Sequence, residues 1–534
     1  EVMRATGLFA AADEASHVLT EMVGLRYTAA QLRFAFALLL ELEAAPVRLY
    51  AAFEKDMMRD YLHAGLSTTT AQTRLKDDLR TAWVHSGHSD SDWPVGGVCK
   101  LERQSAAPAR ADDTSTPDSF KHRVLHDANQ RTVFQHVDMC LQGTRTALAF
   151  VEGRSGTGKS TLASALHYHG ESLPKEVINA ATTGLAALQL PCGATAHSTF
   201  GLPVADEPKF SSTLGLRSAA AARIARASLI QWEEWPACKR SCWEAALDLC
   251  ATLKGSYGPE YVPKTFVCYG DFRQIPPVVP GGSRDTIVET SARRSQSWSS
   301  FSVFHLPTLH RQALGPAYGN WENEVGAGTL SAPRSVAGVR GFAELSLCDT
   351  VYTENDAMAF AFPRVADAAR CATRRILTAT NAMVDVFNDA ILRMLSTTYQ
   401  LPSFHRFSSD SLDMDAPESS PLQISAEFLH NQTHHGAPPH DLNLVVGALY
   451  ELMRNFSPED RLMNHTPVIL QAVHEHHVVI RTLSGETFPL PRIVFRWPLA
   501  HGTSTMTRRQ YPLRAAYATT FNGSRGCTLD ACVV

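Results

Sequence analysis

The stretch Gly153 to Ser160, GRSGTGKS, constrains this chain more than any other, because it fits G-x-x-x-x-G-K-[ST] between a strand pattern and a helix pattern. The apolar run Ala147 to Val151 (ALAFV) suits a buried parallel strand, and Thr161 to His167 (TLASALH) opens a helix. Gly153, Gly156 and Gly158 leave backbone N–H groups free to converge on phosphate oxygens, and the helix behind them adds about half a positive charge at its N-terminus. Lys159 then reaches the β- and γ-phosphates and Ser160 holds a Mg²⁺ ion. The expected ligand is a nucleoside triphosphate.

A chain of 534 residues is too long for one core. No apolar stretch approaches the roughly 20 residues that a bilayer requires, and no cleavable signal peptide is visible. Eleven cysteines, an odd number, form no disulfide framework, so Cys238 and Cys242 read as reduced core thiols in an intracellular protein. A net charge of −4 restricts any nucleic-acid contact to a local groove. The chain starts at Glu1 and stops at Val534 within a strand-like run, which reads as a fragment.

Residues 1–103 have helical spacing, as in Leu32, Phe36, Leu39 and Leu40, and 104–120 reads as linker. Apolar runs at Val177–Ile178, Leu229–Trp232 and Thr265–Tyr269 alternate with helical ones, which predicts an α/β domain with a helix-covered parallel sheet over 121–313. A second α/β domain is expected over 314–534, with Arg375–Thr378 as a strand and Ser403–Pro421 as a polar loop. β-branched residues over about 464–510 suggest a small β insertion within it.

Downstream of the phosphate loop come LIQWEEWP (Leu229 to Pro236) and GDFRQIPPVVPGGSR (Gly270 to Arg284). An acidic pair at one strand end and a polar turn at another describe a motor ATPase core. Glu234 would polarise the attacking water, Glu233 would hold the metal, and Gln274 would sense the γ-phosphate. His430, His434, His435, His474, His476 and His477 lack the spacing of a metal site.

These segments, with TTGLAAL and TAHSTFGLP (Thr182 to Leu188, Thr195 to Pro203), HLPTLHR (His305 to Arg311) and YPLRAAYATTFNGSRGCTLD (Tyr511 to Asp530), closely resemble the 5′→3′ DNA helicases named for petite integration frequency. The lead-in, including SGHSDSDWP at Ser86 to Pro94, resembles the region before the helicase in Helitron rolling-circle transposons. The resemblance implies two RecA-like domains, an SH3-like β insertion, ATP with Mg²⁺ in a cleft, and single-stranded DNA across the top. It places Gln130 on the adenine, Gly153, Ser155, Gly156, Thr157, Gly158, Lys159, Ser160 and Thr161 around the phosphates, and Arg311 on the phosphates from the second domain. Thr183, His197, Phe200, Ser524 and Thr528 become DNA contacts; the Phe200 ring would either stack on a base or pack in the core.

The family has Asp where this chain has Glu233, Asn at Leu309, and Lys and Gln at Gly523 and Arg525. Its final motif, with a further arginine, lies beyond Val534. The activity implied is ATP-dependent 5′→3′ DNA unwinding in the nucleus, linked to repair, recombination, telomere maintenance or transposition. The alternative is an impaired remnant that binds nucleotide or DNA without unwinding.

Overall fold

The computed structural model of the chain describes residues 14–40, 46–85, 93–95, 116–143, 145–173, 175–203, 210–274, 276–279, 281–310, 315–329, 334–336, 339–342, 353–414, 425–434, 436–457, 460–499, 504–524, 527 and 529–534. It forms two compact units, one of residues 107–354 and one of 1–106 with 355–534.

In unit 107–354 the strands are β1 (Ala147–Gly153), β2 (Glu176–Ala181), β3 (Ala194–Thr195), β4 (Ala227–Glu233), β5 (Thr265–Gly270) and β6 (Phe301–Leu306). They lie in the order β3-β2-β4-β5-β1-β6, and every adjacent pair is parallel. β5 separates β1 from β4, so the turn after β5 lies between the phosphate loop and the acidic pair. The four strand runs read from the sequence are β1, β2, β4 and β5. A short ribbon, β7 (Arg334–Val336) with β8 (Val339–Phe342), completes the described strands of this unit.

Both sheet faces are covered, which is why these strands are near-continuous apolar runs rather than alternating ones. Val151, Leu229 and Val267 face the phosphate-loop helix Lys159–Ser172 and the helix Ala128–Gln142. Phe150, Ile230, Trp232, Phe266 and Cys268 point the other way, onto helix Arg240–Tyr257. That second face holds an aromatic cluster in which Trp235 stacks on Trp298 at 5.9 Å and meets Trp243 edge-on at 5.4 Å. Such pairs contribute about 0.5–1.5 kcal/mol each beyond area burial. Trp232 and Trp235 bracket Glu233 and Glu234, so the cluster anchors the backbone on both sides of the acidic pair.

In the other unit β9 (Arg374–Thr378) pairs in parallel with β20 (Ala518–Thr520) and β21 (Ala531–Val533). Helix Asn381–Thr397 covers this sheet, and the buried Asn388 amide donates to Ala515 O at 2.8 Å while accepting from the N–H groups of Tyr517 and Ala518. Inserted between are antiparallel strands: β10 (Ser403–Phe407), β11 (Ser409–Met414), β12 (Asp441–Val445), β13 (Leu449–Leu452), β14 (Pro467–Val473), β15 (His477–Thr482), β16 (Thr487–Pro491), β17 (Ile493–Pro498), β18 (Ser504–Gln510) and β19 (Leu513–Ala515). They form a five-stranded sheet β16-β15-β14-β13-β19, a three-stranded sheet β11-β18-β17 and the pair β10-β12. The β module therefore starts near 403, earlier than the sequence suggested. β10 and β11 had read as loop because their polarity reflects exposure and pairing: Phe404 and His405 are exposed, and Asp410 grips the buried Arg508 at 2.8 Å.

The lead-in helices Glu14–Gly24, Ala29–Leu39, Pro46–Met57 and Thr68–His85 share one apolar cluster, with Leu32, Phe36, Leu39 and Leu40 buried as their spacing predicted. Thr28 and Gln31 form a reciprocal capping box that starts the second helix. This bundle also docks on the β module. The Glu21 carboxylate accepts from the N–H groups of Glu475 and His476 and pairs with His477 Nδ1 at 2.9 Å, while Tyr27 Oη lies 2.9 Å from His477 Nε2. Phe34 packs against Phe456 and Phe488, and Gln31 donates to Thr487 O. Because these partners are some 450 positions apart, local periodicity gives no sign of the contact.

Candidate nucleotide site and strand-contacting loop

The phosphate loop closes on itself. Lys159 Nζ donates to Gly153 O at 2.6 Å and Arg154 O at 2.9 Å, and Thr157 Oγ1 donates to Arg154 O at 2.9 Å. Gly156 and Gly158 have φ of 82° and 86°, a region that side chains disfavour, and a Cβ on Gly158 would strike the Gln130 amide. Lys159 is buried, with its ammonium already aimed at the loop's mouth; Ser155 is exposed, and Ser160 and Thr161 are half-buried at the helix start.

Gln130 is held over this loop. Asp127 caps the helix Ala128–Gln142, and Gln130 Nε2 donates to Thr157 O at 3.3 Å and lies 3.1 Å from His310 Nε2. The sequence motif gives His310 no role, yet its backbone N–H donates to Gly156 O at 2.9 Å and its ring approaches Asp127 at 3.4 Å. Its only signal was its place before Arg311, which lies outside the described residues.

Glu233 ends β4 and is 5% exposed. Its Oε2 has no hydrogen-bond partner among the described residues. Burial pushes its carboxyl up to about 7, the Lys159 ammonium opposes this, and the Glu234 charge adds to it. Glu234 is half-exposed in the left-handed region at φ 54°, and its carbonyl accepts from Thr182 Oγ1 at 2.8 Å. Gln274 is half-buried in the turn after β5, its N–H bonded to Asp271 O. An orphaned, buried carboxylate oxygen facing the loop lysine fits a hard divalent cation such as Mg²⁺, with Glu233 and Ser160 as the residues to hold it.

Beside the loop, Glu152, Gly153, Arg154, Arg273, His305 and Leu306 line a cleft of about 360 Å³. His305 Nδ1 meets Glu152 at 2.8 Å, and Arg154 meets Glu322 at 3.3 Å.

The loop after β2 carries the expected strand contacts. Thr183 caps helix Gly184–Ala187, and Thr182 N–H donates to Glu233 O at 3.1 Å, so this loop is bonded to both acidic residues' backbones. His197 is half-buried and faces Cys242 Sγ at 3.9 Å, a histidine neighbour that the cysteine spacing had not revealed. Phe200 is 0% exposed and stacks on Trp232 at 5.3 Å. The base-stacking alternative for Phe200 is thereby corrected: its ring belongs to the aromatic core. Ser524 Oγ bonds to Phe521 O in the other unit, and Thr528 lies outside the described residues.

Among the described residues one group has metal-like convergence, Asp410 with His430 and His440. His434 stacks on Trp497, and His435 lies outside the described residues. The Asp410 carboxylate is already committed to Arg508 Nε and Nη2 and to Ser408, and the two imidazoles stack on each other at 3.7 Å. A buried guanidinium in that position disfavours a cation.

A glycine-rich loop at the end of a parallel strand, with an acidic pair two strands away, defines a phosphate-loop α/β domain of the RecA-like kind. Residues 125–334 match the family model for PIF1-like helicases. Solved Pif1 helicases share the fold. The structure of two coordinating Pif1 helicases at forked DNA aligns with a TM-score of 0.52 and 17% identity, covering 76% of this chain and 84% of that one. Pif1 from Bacteroides with ADP-AlF3 and single-stranded DNA gives 0.51 and 18%, covering 75% and 85%. No curated protein sequence matches the chain. Among the described residues no helix is long and apolar enough to cross a membrane.

Proposed function

We propose that the chain is an ATP-dependent 5′→3′ DNA helicase that steps along single-stranded DNA. The observation that carries this reading is the convergence of the Lys159 loop and the buried, orphaned Glu233 carboxylate, with Thr182 of the adjacent loop bonded to the backbone of both acidic residues. The solved Bacteroides Pif1 complex with a nucleotide analogue and single-stranded DNA supports the choice of ligands.

In this reading the loop amides and Lys159 hold the β- and γ-phosphates, and Lys159 exchanges its two loop carbonyls for phosphate oxygens. Mg²⁺, when bound, neutralises charge developing on the phosphates. Glu233 and Ser160 are its proposed protein ligands. Glu234, whose backbone is left-handed, orients the attacking water; Gln274 senses the γ-phosphate, Arg311 acts on the phosphates as the resemblance implies, and Gln130 reads the adenine. Thr183, His197, Ser524 and Thr528 are the DNA contacts that the resemblance implies. Nuclear residence and a role in repair, recombination, telomere maintenance or rolling-circle transposition follow from the resemblance alone.

The test is strand displacement on partial duplexes with a 5′ or a 3′ single-stranded tail. ATP-dependent unwinding of the 5′-tailed substrate alone is the expected result. Unwinding from the 3′ tail contradicts the direction. Hydrolysis with no unwinding of either favours the impaired remnant.

A further inference from the structure

Beneath the phosphate-loop helix runs a chain of buried polar side chains that the nucleotide site does not use. Tyr269 Oη, near the end of β5, donates to Gln231 Oε1 at 2.5 Å. Gln231 Nε2 donates to Ala163 O of the phosphate-loop helix and to Asn179 Oδ1 of β2, both at 2.9 Å. Asn179 Nδ2 donates in turn to His167 Nδ1 at 3.0 Å and to Pro191 O at 2.5 Å. Gln231 and Tyr269 are fully buried, and Asn179 and His167 are 2% and 4% exposed. Each amide N–H of Gln231 and Asn179 has one acceptor, so the orientations of both amides are fixed by the network itself.

An apolar residue at position 231 would satisfy strand β4, whose neighbours Leu229 and Ile230 are apolar and buried. Burying four polar side chains instead costs desolvation that hydrogen bonds only about repay. What the network adds is connection. Gln231 lies two residues before Glu233 on the same sheet face, and Tyr269 lies beside Glu233 on the next strand. At its far end the network holds Pro191, in the loop whose start, Thr182, bonds to Glu233 and Glu234. That loop is thus tied to the backbone of the acidic pair at Thr182, by its N–H and its hydroxyl, and through Asn179 at Pro191 to Gln231, two residues before Glu233.

We infer that Gln231, with Tyr269 and Asn179, is a positioning residue that links the Glu233 carboxylate to the Thr182–Thr195 loop, so that DNA on the loop sets the site for hydrolysis. This rests on the helicase reading above. The test compares steady-state ATP hydrolysis with and without single-stranded oligodeoxynucleotide in the parent, Gln231→Met and Tyr269→Phe/Gln231→Met, alongside thermal melting. The double variant removes the Tyr269 donor together with its Gln231 acceptor, so it recovers part of the stability that Gln231→Met loses, Asn179 Oδ1 lacking its donor in both. In both variants the ratio of DNA-stimulated to basal kcat should fall about tenfold, with basal kcat and KM for ATP within about threefold of the parent. A purely structural network gives a different pattern, in which the stable double variant is stimulated as strongly as the parent, and that result overturns the inference. A parent that hydrolyses ATP without stimulation overturns the helicase reading and the inference with it.

Discussion

Replacing Glu233 with Gln should stabilise the nucleotide-free protein, and the gain should depend on pH. Its carboxyl is pushed up to about 7 in the folded chain, against 4.5 for an unperturbed group, because burial and the Glu234 charge disfavour ionisation by more than the Lys159 ammonium favours it. Between those values the folded chain holds a proton that the unfolded chain has released, so stability falls as pH rises through this window. A displacement of about 2.5 units at about 1.36 kcal/mol each amounts to roughly 3 kcal/mol, lost in full above the folded value. Gln is uncharged at every pH and nearly the same shape. Urea unfolding in EDTA, followed by fluorescence of the Trp232, Trp235 and Trp243 cluster, should show Glu233→Gln more stable by roughly 3 kcal/mol at about pH 8 and close to parent at about pH 4.5. An equal difference at the two pH values would show instead that the gain comes from packing rather than from an ionised buried carboxylate.

Lys159→Ala should abolish ATP hydrolysis and sharply weaken ATP binding; fluorescent-nucleotide titration with unchanged affinity would count against the phosphate-loop assignment. Phe200→Ala should lower stability by about 3–5 kcal/mol, the usual cost of emptying a buried aromatic site, as read by urea unfolding. A fall in single-stranded DNA affinity at unchanged stability would show instead that the ring meets the bases. Glu21→Ala should destabilise the lead-in by about 1–3 kcal/mol, because it orphans the His477 Nδ1 group and two backbone N–H groups. Limited proteolysis after Gly24 should then accelerate.

The parallel sheet was legible because buried strands are written as apolar runs, and β1, β2, β4, β5 and β9 all coincide with runs picked out in the sequence. The phosphate loop and acidic pair were legible because their chemistry depends on local spacing. What escaped is what depends on distant partners. β10 and β11 resemble loops until Arg508 arrives to pair with Asp410, and the lead-in helices show apolar faces without showing that His477 and Phe488 meet them. Phe200 could not be assigned from its motif, because only the fold brings Trp232 against it. The polar Gln231 within LIQWE was a signal available in the sequence, since an amide in a buried strand demands partners.

An ATPase built on the Lys159 loop and the Glu233–Glu234 pair and governed by single-stranded DNA has a distinctive salt response. The most direct measurement is the rate of ATP hydrolysis with Mg²⁺, with and without a single-stranded oligodeoxynucleotide, across a series of salt concentrations. Stimulation by the single strand should weaken as salt rises, because phosphate contacts release counterions. ATP hydrolysis indifferent to the single strand at every salt concentration would contradict it.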